Sequence, residues 1–134
     1  MQYRLTTIED YPELVTWWKW FRFEPPTIEM LPNKLKDGII ISQNGSNICS
    51  GFLYRTPSNM CWLEFIVSNP NVKDRELRKE ALSLLIDVIS QLAKKMGFSI
   101  VYSSLKNESL INHYLDNGFV KGSLNCTEMI KILK

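Results

Sequence analysis

The stretch from Val67 to Leu85, VSNPNVKDRELRKEALSLL, gathers Lys73, Arg75, Arg78 and Lys79 where a strand ends and a helix begins. The helix macrodipole disfavours cations at such a start, so their concentration there calls for an anion among them. Arg75, Arg78 and Lys79 share one helical face through i, i+3 and i+4 spacing. Free N–H groups of a first helical turn add to an anion site. The competing reading is a solvated face balanced by Asp74, Glu76 and Glu80.

A second chemical feature is Glu64, set in the otherwise apolar run CWLEFIV. A carboxylate in such a strand is seldom buried without a partner or a task. The competing reading is an exposed face, or an ion pair with Arg55 on the neighbouring strand. A third feature is an aromatic excess, Trp17, Trp18, Trp20, Phe21 and Phe23, too many for one core-facing stripe. Trp17, Trp18 and Phe21 fit the buried side. Trp20 and Phe23 are left to pack on the FEPP loop or to form a wall for an apolar or aromatic ligand, or a protein surface.

Metal chemistry finds little support. The chain has three cysteines, Cys49, Cys61 and Cys126, without ligand spacing, and a single histidine, His113. Reduced, buried thiols are expected, and no metal. The net charge of +2 is too small to argue for nucleic acid. MQYRLTTIED holds no apolar signal core and no run approaches membrane-span length. The expected location is the cytoplasm, with no membrane partner.

The elements that position these residues follow from periodicity. The 134 residues suit one domain, 1–134. Tyr3 and Leu5 alternate as a short strand, and Thr7 and Pro12 open a helix through Phe21. A turn over Ile28–Leu31 follows, ended by Pro32. GIIIS, Asn47–Arg55 and MCWLEFIV then form an antiparallel meander, with Asn44-Gly45 as its first hairpin turn. From Asp74 a long helix presents Leu77, Ala81, Leu84, Leu85, Val88, Leu92 and Met96, and Gly97 closes it. Phe98–Leu105 returns as a strand parallel to MCWLEFIV. Asn107 or Ser109 caps a helix over Leu110–Asn117, and Lys121–Leu133 supplies one or two last strands. The fold class is a mixed α/β (α+β) domain. Its sheet has six or seven mostly antiparallel strands, with helices on both faces. Ligands of open α/β sheets bind where strand order changes, which here is the end of MCWLEFIV.

This order of elements, with Tyr114-Leu115-Asp116-Asn117-Gly118-Phe119 ending the last helix and Asn107 beginning it, resembles the GNAT superfamily of N-acetyltransferases. In detail it resembles small acetyltransferase-like proteins of bacteriophage genomes, through the WW-rich first helix and the VSN…RKEAL…LI segment. The resemblance implies acetyl-CoA as co-substrate and direct transfer of its acetyl group to a primary amine in a ternary complex. It implies Glu64 as the base and Tyr114 as the acid that protonates the departing thiolate. Backbone at Phe65, Ile66 and Val67 would polarise the thioester. Lys73, Arg75, Arg78, Lys79, Glu80 and Ala81 would hold the pyrophosphate, and Asn107 would touch the pantetheine arm. Trp20 and Phe23 would border a small-molecule or protein amine acceptor, with a homodimer left open. If the chain is phage-encoded, the compartment is the host cytoplasm.

The departure from the family is the phosphate loop, usually Arg/Gln-x-x-Gly-x-Gly/Ala. Here Lys79 stands at the middle glycine, Ala81 at the last small position, and Glu76 where Arg or Gln belongs. Either Arg75, Arg78 and Lys79 replace a backbone cradle with side-chain charge, or the fold is a non-catalytic binding module that has lost acetyl-CoA.

Overall fold

The computed structural model describes all residues, Met1–Lys134. Its centre is a five-stranded sheet in the order β1 (Gln2–Leu5), β2 (Gly38–Gln43), β3 (Ser46–Tyr54), β4 (Met60–Ser68) and β5 (Ile100–Tyr102). The first four strands are antiparallel neighbours, and β5 joins β4 in parallel. Asn44 and Gly45 take the positive φ values, 52° and 80°, that a tight β2–β3 hairpin requires.

Strand alternation builds a core on each face. On one side Ile40, Phe52 and Val67 meet Leu14, Trp17 and Trp18 of α1 (Tyr11–Trp20). On the other, Ile39, Ile41, Leu53, Cys61 and Leu63 meet α2 (Arg75–Lys95) and Tyr114 of α3 (Glu108–Asp116). Asp74 caps α2, its carboxylate accepting from the Leu77 N–H at 3.2 Å. Asn107 caps α3 in the same way, accepting from Leu110 N–H at 3.0 Å.

Three expectations need correction. The buried ridge of α2 is Ala81, Leu85, Ile89 and Ala93 with Ile86 beside it, while Met96 is exposed. The fully buried line thus repeats strictly every four residues, leaving Leu84, Val88 and Leu92 on its margin. Phe21, expected in the core, is exposed at the end of α1 and stacks edge-on against Trp20 at 4.9 Å. Lys121–Leu133 forms no strand, so the sheet has five strands rather than six or seven. Residues 120–134 make no backbone–backbone hydrogen bond, and Val120, Leu124, Met129, Ile130, Ile132 and Leu133 are 70–87% exposed. The edge strand that precedes them in the chain, β5, is three residues long, too short for a ladder that would offset their ordering. No helix is long and apolar enough to cross a membrane.

Candidate functional site

The site begins with a fault in the β3–β4 ladder. Phe52 pairs with Glu64 and Ser50 with Val67, so β4 carries one residue more than β3 between those pairs. The extra residue is a β-bulge, and Phe65 takes φ 57° to make it. Gly51 lies opposite, where a Cβ would come within 2.9 Å of Ile66 Cγ1. The bulge turns both Glu64 and Phe65 toward the α1 face, while Ile66 packs against the α2 core.

Beside the bulge the sheet opens. Strand β5 pairs with β4 only from Met60 to Trp62, and then the two diverge. Side chains bridge the split. Ser103 Oγ donates to the Leu63 carbonyl at 2.6 Å, and the Ser104 N–H donates to Glu64 Oε1 at 2.8 Å. Tyr114, only 3% exposed, places its hydroxyl 3.0 Å from Ser103 Oγ.

Glu64 lies half-buried with no cation on it, since Arg55 is committed to Asp37 at 2.9 Å. Burial raises its carboxyl above the ordinary range; the Ser104 N–H opposes this and the Glu128 charge adds to it. That is the environment of a carboxylate that takes up a proton more readily than a solvated one. The Tyr114 phenol is raised far above its usual value by burial, which the Ser103 bond opposes and the Glu64 charge reinforces. Tyr54 is raised to about 12, chiefly by burial and then by Glu64. Both phenols therefore keep their protons as hydrogen-bond donors throughout the neutral range.

Two openings flank this centre. On the α1 face, a groove of about 430 Å³ is lined by Met30, Tyr54, Trp62, Glu64 and Phe65. Between α2 and α3, a pocket of about 500 Å³ is lined by Arg75, Glu76, Arg78, Lys79, Leu82, Ser109 and His113. Of its lining residues, Arg78 and His113 each hold one buried nitrogen, Nε and Nδ1, without a hydrogen-bond partner. An unpartnered buried polar atom costs about 1–3 kcal/mol, and such atoms are rare enough in native folds to need a reason. Three cations against the single carboxylate of Glu76 give the pocket a net positive lining.

The expected residues divide accordingly. Arg75, Arg78 and Lys79 come together in the basic pocket. Lys73 does not join them; its ammonium lies 5.7 Å over the Trp20 ring. Glu80 is exposed outside the pocket, and Ala81 is fully buried in the core. Asp74 starts the helix early enough that Lys79, Glu80 and Ala81 fall in its second turn, where amides are spent on the helix itself. Asn107 has its carbonyl oxygen engaged in the α3 cap. Trp20 stands 60% exposed away from the groove lining, and Phe23 reaches the site only by packing edge-on to Phe65 at 6.3 Å. His113, considered in the sequence as a metal ligand, lines the pocket. Its i+4 relation to Ser109 on one helix face was the available signal. Trp62 was legible too, two residues before Glu64 on one strand face. Tyr54 and Met30 required the tertiary register.

No family model matches the sequence, and no curated protein does. Solved structures do match in fold. TTHA1254 from Thermus thermophilus superposes with TM-score 0.72 at 15% identity over 100% of both chains. N-acetylglutamate synthase from Neisseria gonorrhoeae, solved with coenzyme A and N-acetyl-glutamate, gives 0.72 at 16% identity, over 91% of this chain and 28% of that one. The aminoglycoside acetyltransferase meta-AAC0020 from an uncultured soil metagenomic sample gives 0.66 at 12% identity, over 99% and 96%. The chain has the GNAT-like mixed-sheet fold.

Proposed function

We propose that the chain transfers the acetyl group of acetyl-CoA to a primary amine. The observation that carries this reading is the basic pocket with its two orphaned nitrogens, Arg78 Nε and His113 Nδ1, beside a bulged and splayed strand. Coenzyme A in the structure of the Neisseria synthase supports the same ligand for this fold. Arg75, Arg78, Lys79, Ser109 and His113 would hold the pyrophosphate through side chains rather than a glycine-rich loop. The pantetheine arm would enter between β4 and β5, past Asn107, with the thioester carbonyl held at the backbone of Phe65, Ile66 and Val67.

The chemistry is direct attack in a ternary complex. Glu64 takes a proton from the ammonium form of the acceptor. The freed nitrogen lone pair forms the N–C bond at the thioester carbonyl. The C–S bond breaks with its electron pair passing to sulfur, and Tyr114 gives sulfur a proton. The second amine proton leaves nitrogen as the intermediate collapses and, through water, restores Tyr114. Holding both reactants at one strand opening supplies much of the acceleration.

One observation favours a second reading, a non-catalytic GNAT-fold module. Asp74 puts its own carboxylate at the start of α2, where a phosphate would otherwise sit. Arg78→Glu and Tyr114→Phe separate the two. For the transferase, Arg78→Glu weakens acetyl-CoA binding by about 10- to 100-fold, the scale of a lost charge-assisted contact. Tyr114→Phe lowers kcat and leaves that affinity in place. Unchanged affinity in Arg78→Glu refutes the pocket assignment.

A further inference from the structure

Resting on the transferase reading, we infer the class of acceptor: a primary ammonium on a short arm attached to a flat, apolar, aromatic-sized body. The groove beside Glu64 specifies it. Of its five lining residues, Met30, Tyr54, Trp62 and Phe65 present apolar or aromatic surface, and Glu64 is the only charge. One Glu64 oxygen is bound by the Ser104 N–H, and the other takes no hydrogen bond from the protein, leaving it for an ammonium.

The aromatic walls are held in place. Trp62 packs on Tyr102 with ring centroids 4.1 Å apart, forming one side. Phe65 forms the floor, touched by Trp18 at 6.4 Å and by Phe23 and Tyr54 at 6.3 Å. The Tyr54 hydroxyl is spent on the Met30 carbonyl at 2.7 Å, so Tyr54 offers its ring to a ligand. The bulge at Phe65 sets ring floor and carboxylate side by side, as a ligand with a ring and an amine a few bonds apart demands.

The groove also excludes. No cation lines it, so an amino-acid acceptor would bring a carboxylate with nothing to meet it. The nearest strand cation, Arg55, is bound to Asp37. A polyamine or aminoglycoside would bring several ammonium groups to one carboxylate and leave the others only ring faces, a weaker partner than a carboxylate or water. Burial of an aromatic body is the largest favourable contribution the walls provide. In this the groove differs in kind from a site for the glutamate skeleton or the aminoglycosides named for the fold neighbours.

The test uses the full chain with tryptamine, spermidine and L-glutamate as probes, titrated by calorimetry first without acetyl-CoA. Tryptamine is expected to bind at least about tenfold more tightly than either of the others. Trp62→Ala, at a half-exposed site where the fold tolerates truncation, is expected to weaken tryptamine about 3- to 10-fold, the worth of one aromatic contact. Glu64→Gln is expected to weaken it as well, by removing the ammonium's partner. Equal or tighter binding of spermidine or L-glutamate overturns the acceptor class, as does tryptamine binding indifferent to Trp62→Ala. A second arm follows coenzyme A release with acetyl-CoA and each amine. If acetyl-CoA binds and spermidine or L-glutamate is the better acceptor, the class is wrong while the transferase reading stands. If tryptamine binds as expected and acetyl-CoA does not bind at all, the groove assignment stands and the transferase reading falls.

Discussion

The whole site hangs on the bulge at Phe65, and its geometry makes an unusual demand that two substitutions can expose. Phe65 holds φ 57°, where an L-residue pays about 1–2 kcal/mol that glycine does not. In ordinary strand or helix backbone the preference runs the other way, glycine costing about 0.5–1 kcal/mol relative to alanine. Phe65→Ala keeps the backbone strain and deletes the ring; Phe65→Gly deletes the ring and relieves the strain. The ring is half-buried against Trp18, Phe23 and Tyr54, so its loss falls toward or below the low end of the about 3–5 kcal/mol seen for fully buried phenylalanines. Set against a stability of about 5–15 kcal/mol for a domain of this kind, both variants should remain folded. Midpoint values of the two opposing backbone effects leave Phe65→Gly about 0.5–1 kcal/mol more stable than Phe65→Ala. Urea denaturation followed by tryptophan fluorescence measures the difference directly. A Phe65→Gly variant less stable than Phe65→Ala by a similar margin would show that residue 65 is not at positive φ. The bulge, the pairing of Glu64 with Phe65 on one face and the groove would all fall with it.

Other outcomes follow from the burial of single groups. Glu64 has its folded pKa raised, so its contribution to stability is present below the unfolded carboxylate range and is lost as pH rises through the folded value. Glu64→Gln keeps the acceptor for the Ser104 N–H and cannot ionise. It should melt above wild type at pH 8, with the gap closing at acid pH, and a gap that widens on acidification would reverse the assignment. The same variant should lower kcat by about 100-fold or more, as the loss of a general base does. Cys49 and Cys61 are buried, and burial raises both thiols, whereas Cys126 is exposed. A colorimetric thiol reagent should therefore label one cysteine in the native protein and three in denaturant; rapid labelling of Cys49 would contradict the core as described.

Much of this architecture is written in short-range patterns. The Asn44-Gly45 turn, the Asp74 and Asn107 caps and the alternation of GIIIS each specify their element locally, and the structure follows them. The last strands failed because a strand forms only where a neighbour completes its ladder, and β5 is too short to do so. The α2 face was misjudged because the sheet, rather than the helix's own hydrophobicity, selects which ridge is buried. Within the site, Arg75, Arg78 and Lys79 were legible from spacing along one helix, and Glu64 from its incongruity in an apolar strand. His113 and Tyr54 acquire their places from packing between elements distant in sequence. Lys73 was misplaced for a related reason. It precedes the Asp74 cap, so the helical spacing that unites the other cations does not govern it.

The central claim is that the glycine-free start of α2 binds acetyl-CoA through side-chain charge. Calorimetric titration of the wild-type chain with acetyl-CoA, beside Arg78→Glu as control, tests it most directly. A saturable one-site isotherm is expected for the wild type, weakened at least about tenfold in Arg78→Glu. No detectable binding to the wild type at about 1 mM ligand, an affinity weaker than about −4 kcal/mol, would contradict it.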